Sequence, residues 1–469
     1  MFKGSMKLRT FLNLLVWLVL TVYMWVIWNV TQAPMHWAHT VSIAAIVLFA
    51  YQILVMRKMK VKFSDFRIWF IALQYVFIFG RVFLHGFNLD KKIFWDLFTY
   101  YSDVSLYKAA VYGLVFIQSL FLGLFWKNHK TEASELYNIF KIRDKYSGNC
   151  MRFIGIAMIL VSLPFRLKND LGQISAQNAN SGYVALANTN GMTYAMGMLM
   201  PIGVIFLICS DALKRKTVNK ILILFSAYSV GVMILSGDRR YAITSFISII
   251  LCYMVRFDIK LNWKRVVPLC IVAVLALSML EAIRNGRMQV IDSFSTFWDL
   301  FMESLMTSNI IYETFAEFGL TYFIYVAGIQ FFPSIFPYKM GMTYLLGPIT
   351  VIPMSGAIFP GMLLKISAHW DCKSITGHAL GAALGEEVYC NFGLLAPIFA
   401  VVFGIILSRI MHMKREDSLY EMAKYYGLFY LLLNLVRSSS IEIMRTAVYA
   451  LLLPVIFAFA YKKLSKKGW

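Results

Sequence analysis

Charge is scarce in this chain, and negative charge most of all: Asp and Glu together number 24 of 469 residues, against 45 Lys and Arg. Charged residues make up 15% and hydrophobic ones 59%, with a mean hydropathy of +0.66. Such a balance excludes an ordinary soluble domain, where about a quarter of the residues are charged. Cysteine is rare, at six residues, and no spacing resembles a zinc site. There is no phosphate-binding Gly-Lys-Ser/Thr loop and no nucleotide-binding glycine pattern. Asp-x-Asp is missing too, which argues against a metal-dependent nucleotide-sugar transferase. The energy for any reaction must come from an already activated, membrane-borne substrate or from an ion gradient. No metal and no cofactor are expected. The formal charge of +21 is spread over short loops rather than gathered on one domain, so nucleic acid is a poor partner.

Long apolar runs take the place of charge. About twelve runs are long enough to cross the ~30 Å core of a bilayer as helices. They lie near 10–30, 38–56, 66–85, 107–127, 150–167, 190–210, 219–236, 241–257, 266–283, 393–411, 424–440 and 446–462. None alternates apolar with polar residues, so helices rather than a closed barrel do the spanning. The first run has the length of a signal peptide but no small-residue cleavage site, and it opens a series, so it reads as a retained helix. An even number of spans puts both termini on one side. Roughly two-thirds of the Lys and Arg then fall on the cytoplasmic side, which favours both termini inside. The fold class is an all-α polytopic membrane protein.

Four regions follow. An N-terminal scaffold covers 1–149 and ends in a charged linker at 128–149. Central spans with a basic outer turn cover 150–283, a large external loop runs over 284–392, and C-terminal spans fill 393–469. A smaller outer loop, 168–189, is rich in Asn, Gln, Ser and Gly. It is either plainly solvated or able to hydrogen-bond sugar hydroxyls, with Tyr183 to stack on a ring. The large loop is longer than a connector requires, and such loops are usually functional. Its segments 297–306, 318–332 and 344–364 are apolar or amphipathic, and Pro333, Pro337, Pro348, Pro353 and Pro360 cut it into short pieces. Interfacial or re-entrant helices over the outer mouth are expected there.

The candidate functional residues gather at that face. Arg239 and Arg240 follow a tight Gly237-Asp238 turn. Arg284 and Arg287, three apart, share a helix face. Arg437 and Arg445 flank the turn between the last two spans. Any one of these is ordinarily a snorkelled interface residue. Six on one side suit a phosphate or pyrophosphate headgroup, which guanidinium groups grip bidentately.

The run 376–393 ends the large loop. Its small residues allow close approach of a helix or substrate. On a continuous helix, His378 and Glu386 would lie near one face, with Glu387 about 100° further round. Any of the three can serve as a base toward a sugar hydroxyl, or a carboxylate can merely balance the arginines. His369 is a weaker candidate. Cys372 and Cys390 lie in the same loop and are able to pair in an oxidising compartment.

Over about 190–450 the chain resembles the bacterial repeat-unit polymerases called Wzy, and more distantly the O-antigen ligases. The likeness rests on the Gly237-Asp238-Arg239-Arg240 turn, the large outer loop opening on Arg284 and Arg287, and the entry Glu387-x-Tyr389-x-Asn391-Phe392-Gly393 to a late span. It implies a GT-C-like, metal-independent glycosyltransferase of the bacterial cytoplasmic (inner) membrane. The donor would be a growing glycan on undecaprenyl pyrophosphate, and the acceptor a single repeat unit on the same lipid. The bilayer and a chain-length regulator protein would be its other partners. The resemblance assigns pyrophosphate binding to Arg239, Arg240, Arg284 and Arg287. The ligases carry a catalytic histidine late in this loop. His378 is its nearest counterpart, although Ala379 stands where a polar neighbour is expected. Two other functions fit in part: a polysaccharide ligase, and a flippase for lipid-linked oligosaccharide. A flippase is expected to carry charge deep within several spans, whereas here charge gathers at the outer mouth.

Overall fold

The computed structural model describes residues 2–90, 97–126, 146–178, 191–236, 240–259, 298, 302, 310–353, 355–377, 381–412 and 418–465. Among them every regular element is helical. The chain is shared by two compact units, one built from 1–137, 314–415 and 432–445, the other from 138–313, 416–431 and 446–469.

The first unit begins with α1 (Phe2–Ile27), α2 (Trp37–Lys58), α3 (Phe66–Gly86) and α4 (Asp103–Leu124). Asp65 caps α3 by accepting from the Arg67 backbone at 2.9 Å, and Ser102 caps α4 by accepting from Ser105 at 3.2 Å. A polar ladder crosses this apolar bundle. Gln52 donates to Gln118 at 2.9 Å, Tyr75 to Gln52 at 3.1 Å, and Gln118 to the Asn13 carbonyl at 3.2 Å. Gln52 and Gln118 thus each find partners within the bundle, as buried polar groups usually do.

The second unit holds α5 (Gly148–Asn178), α6 (Gly191–Gly197), α7 (Met200–Cys209), α8 (Arg215–Ser236) and α9 (Arg240–Arg256). With 31 residues, α5 is about 46 Å long, well beyond the ~30 Å hydrocarbon core. Residues 168–178, expected as the start of a loop, therefore continue the helix. α7 is apolar all round and buried along its length, as an interior helix should be.

From the segment expected as a large external loop come α10 (Ile310–Phe318), α11 (Tyr322–Phe331), α12 (Met342–Leu346) and α13 (Ala368–Thr376). They are followed by α14 (Leu384–Phe392), α15 (Ala396–Ile410), α16 (Leu419–Leu433) and α17 (Ser440–Ser465). Its described part, from Ile310 on, is a series of short helices, as its prolines foretell. Leu345, Ile352, Ile358 and Phe359 remain exposed, in keeping with an interfacial surface. α11 differs. It offers no polar face, and it is buried in the first unit against α4 and α14.

Eight segments among the described residues are long and apolar enough to span a membrane: Thr10–Ile27, Trp37–Lys58, Phe66–Gly86, Asp103–Leu124, Gly148–Ser175, Gly191–Cys209, Leu384–Ile410 and Ser440–Ser465. They correspond to eight of the expected runs. The run at 219–236 is helical within α8, whose first turns carry Arg215, Lys216 and Lys220. The run at 241–257 is α9, of 17 residues. The run at 424–440 stops at Leu433, where Asn434 and the sequence Arg437-Ser438-Ser439-Ser440 open a turn. The run at 266–283 lies outside the described residues.

α4 and α15 touch backbone to backbone. A Cβ on Gly123 would stand 2.2 Å from the Val401 carbonyl, and one on Gly404 2.6 Å from that of Leu120. Gly404→Leu is therefore expected to destabilise the first unit by at least the ~1–3 kcal/mol typical of overpacking. A lower melting temperature of the purified protein in detergent checks this.

Candidate functional site

The run 376–393 is not one helix. α13 ends because Gly377 adopts a left-handed conformation (φ 65°), its N–H closing on the Lys373 carbonyl at 2.9 Å. Gly381 is left-handed as well (φ 85°), and α14 starts only at Leu384. Glycine takes such angles at little cost, whereas a side chain is strained there. The shared helix face expected for His378 and Glu386 is therefore absent. His378 itself lies outside the described residues, as do Arg239, Arg284 and Arg287. Arg240 begins α9.

Glu387, 3% exposed, is committed to the start of α17. It accepts the Ser440 backbone N–H at 3.0 Å and the Ser440 hydroxyl on its other oxygen. A carboxylate from α14 thus caps the positive end of another helix. The turn it anchors carries Arg437. That side chain is half-buried and packs against the Gly381 backbone: a Cβ on Gly381 would lie 3.8 Å from Arg437 Cγ and 3.9 Å from its Nε. One turn into α17, buried Arg445 donates from Nε to the Thr350 carbonyl at 2.8 Å. This bond ties α17 to the segment around Thr350.

Asn391 completes the frame. Its amide nitrogen donates to the Thr343 hydroxyl at 2.9 Å, and its oxygen accepts the Gly341 N–H at 3.1 Å. Lys339 pairs with Asp371 at 2.5 Å and donates to the Lys365 carbonyl at 2.9 Å. The loop is therefore fastened to the end of α14 rather than draped over it. Asn391 stands in the motif read from the sequence, but its partners are far along the chain and carry no local signal.

Glu386 is 1% exposed and differs from its neighbour. One oxygen receives the Cys390 thiol at 3.7 Å, and the other has no hydrogen-bond partner. Leaving a buried polar group unmade costs about 1–3 kcal/mol or more. Cys372 and Cys390 are both buried and both free thiols.

His369, the weaker candidate, is better placed than its sequence context indicated. On α13, it hydrogen-bonds the Gly381 backbone, so it supports the turn on which Arg437 packs. Burial, and then the Lys373 ammonium, pull its pKa from the ordinary 6.5 down to about 4. The imidazole is neutral at physiological pH and too weak a base to be well matched to catalysis there. Because the folded protein resists protonation, the unfolded chain takes up the proton first. Stability should then be level above about pH 6.5 and fall as pH drops toward about 4. Melting curves of wild type and His369→Gln across that range check this, and the variant should lose part of the acid dependence.

Among the described residues no three His, Cys, Asp or Glu side chains converge as a metal centre would require. In the first unit Glu387 holds the turn that carries Arg437, and Arg437 packs on the left-handed Gly381. No curated protein and no solved structure matches the chain significantly. A family model does, that of the O-antigen polysaccharide polymerase Wzy, and the match runs over residues 13–468. With its many membrane-length helices and a match over nearly its whole length, the chain belongs to the O-antigen polysaccharide polymerase Wzy family.

Proposed function

We propose that the chain polymerises lipid-linked oligosaccharide at the outer face of the bacterial inner membrane. It moves a growing glycan from undecaprenyl pyrophosphate onto a repeat unit carried by the same lipid. The acceptor hydroxyl oxygen attacks the anomeric carbon of the donor glycan. The bond from that carbon to the pyrophosphate oxygen breaks, and its electron pair leaves on the pyrophosphate. The hydroxyl proton passes to a base and on to water. Arg239, Arg240, Arg284, Arg287 and Arg437 hold pyrophosphates and offset the charge that grows on the leaving group. No metal is needed for this role, since guanidinium groups supply the positive charge.

The family match over nearly the whole chain carries this reading. Of the three candidate bases, Glu387 has both oxygens engaged by Ser440, so it acts as a positioning residue, and His378 and Glu386 remain for the proton transfer. Arg445 likewise acts by holding Thr350. A ligase or a flippase predicts other outcomes in the cell. Loss of this chain should leave single repeat units on the final surface acceptor, restored to long polymer by the plasmid-borne gene. Absence of any repeat unit on the surface acceptor would point instead to a ligase or a flippase.

A further inference from the structure

Cysteines meet in pairs inside both units. In the second unit the Cys209 and Cys252 sulfurs, on α7 and α9, lie 3.6 Å apart. In the first unit Cys372 on α13 and Cys390 on α14 are within hydrogen-bonding reach of each other, on helices that pack together. All four side chains are at most 1% exposed.

Buried cysteines most often serve as small apolar residues. The setting of Cys372 and Cys390 asks for more. Lys339 reaches both positions: its backbone N–H donates to the Cys390 carbonyl at 2.9 Å, and its ammonium pairs at 2.5 Å with Asp371, the residue before Cys372. That ion pair marks a membrane interface beside Cys390, and so does Trp28, whose ring centroid is 5.6 Å from that of Tyr389. The two cysteines also stand on opposite sides of a hinge. Left-handed Gly377 and Gly381 separate α13 from α14, and Arg437 packs on Gly381. A bond between Cys372 and Cys390 would close the stretch 373–389 into a loop, restrict the unfolded chain and hold both glycine bends. Little is lost in exchange, because the Cys390 thiol is a weak donor to Glu386 at 3.7 Å.

We propose that Cys372 and Cys390 form a disulfide in the mature protein, whereas Cys209 and Cys252 remain thiols. Compartment makes the difference. On the function proposed above, α13 and the start of α14 lie at the outer face, where disulfides persist. Cys209 is followed by exposed Lys214, Arg215 and Lys216, a positive cluster of the cytoplasmic kind, and there thiols stay reduced. The outward placement rests on that function; the meeting of the thiols does not. The bond forms as the chain folds, before the pair is buried. Two thiols become one S–S bond, and an external disulfide, on a small molecule or an oxidoreductase, takes up both protons and both electrons and becomes two thiols.

Peptide mapping tests this without turnover. Full-length protein is extracted from aerobically grown cells with an alkylating reagent present, denatured in that reagent, and mapped by mass before and after reduction. Cys209 and Cys252 should be alkylated at once. Cys372 and Cys390 should appear as linked peptides and take the reagent only after reduction. In Cys372→Ser, Cys390 should be alkylated without reductant. If all four are alkylated without reductant, the inference falls and the polymerase reading stands. Linkage of both pairs, or a Cys390 still protected in Cys372→Ser, overturns the inference as well. A link between Cys209 and Cys252 alone would reverse the compartments and sink the outer-face reading with it. Linked Cys372 and Cys390 in a protein that makes no polymer would keep the disulfide and sink the polymerase.

Discussion

Glu387→Ala is expected to reduce polymer formation by about a hundredfold or more, while leaving protein that still inserts into the membrane. The carboxylate satisfies two donors of Ser440, a residue 8% exposed at the first turn of α17. Removing it strands both, at about 1–3 kcal/mol each, and frees the turn that presents Arg437. Misplacing a charge-stabilising group by about 1 Å can alone cost ~10²-fold. Glu387→Gln keeps an acceptor for Ser440 and should lose far less, about tenfold, by the smaller strength of a neutral hydrogen bond. The split is read from initial rates on lipid-linked repeat unit. A base would lose comparable activity in both variants, because neither alanine nor glutamine accepts the proton. A positioning residue is partly rescued by glutamine.

Arg437 should show the second large effect. Arg437→Ala is expected to lower the rate by ~10²–10³-fold, the usual result of removing one donor aimed at developing negative charge. Arg437→Lys restores a point charge without the planar fork, so it should recover only part of the loss. Inorganic pyrophosphate should inhibit wild type and inhibit Arg437→Ala more weakly. Full inhibition of the alanine variant would mean that Arg437 only packs on Gly381 and does not meet the phosphate.

Much of the architecture was legible because lipid imposes a simple rule on length and polarity. Eight of the expected runs are membrane-length helices, and the prolines of the external loop do break it into short elements. The departures share a cause. Lys168, Asn169, Asp170 and Gln173 read as loop because they are polar. They are helical because α5 outruns the hydrocarbon core, and Asn169 and Asp170 turn their polar groups into the unit. Segment 318–332 read as interfacial because it is apolar and short, yet an all-apolar helix gains more from burial among α4 and α14 than from a headgroup layer.

At the site, residue types were easier to read than roles. The pair Glu386–Glu387 stood out in an acid-poor sequence. Which one is engaged depends on Ser440, 53 residues away, and nothing local encodes that pairing. Helical spacing placed His378 beside Glu386, but the left-handed Gly377 and Gly381 interrupt that helix. His369 has unremarkable neighbours in the sequence; its link to Gly381 is a tertiary contact.

The proposed polymerase needs only activated lipid-linked repeat unit to make polymer. Purified full-length protein in liposomes would receive undecaprenyl-pyrophosphate-linked repeat unit in the presence of a metal chelator and without nucleotide, and the glycans would be sized on a gel. A ladder of multiples of one repeat unit is expected, greatly weakened in Arg240→Ala and Arg284→Ala. No ladder, with intact lipid-linked repeat unit instead crossing the bilayer, would contradict it and make the chain a carrier.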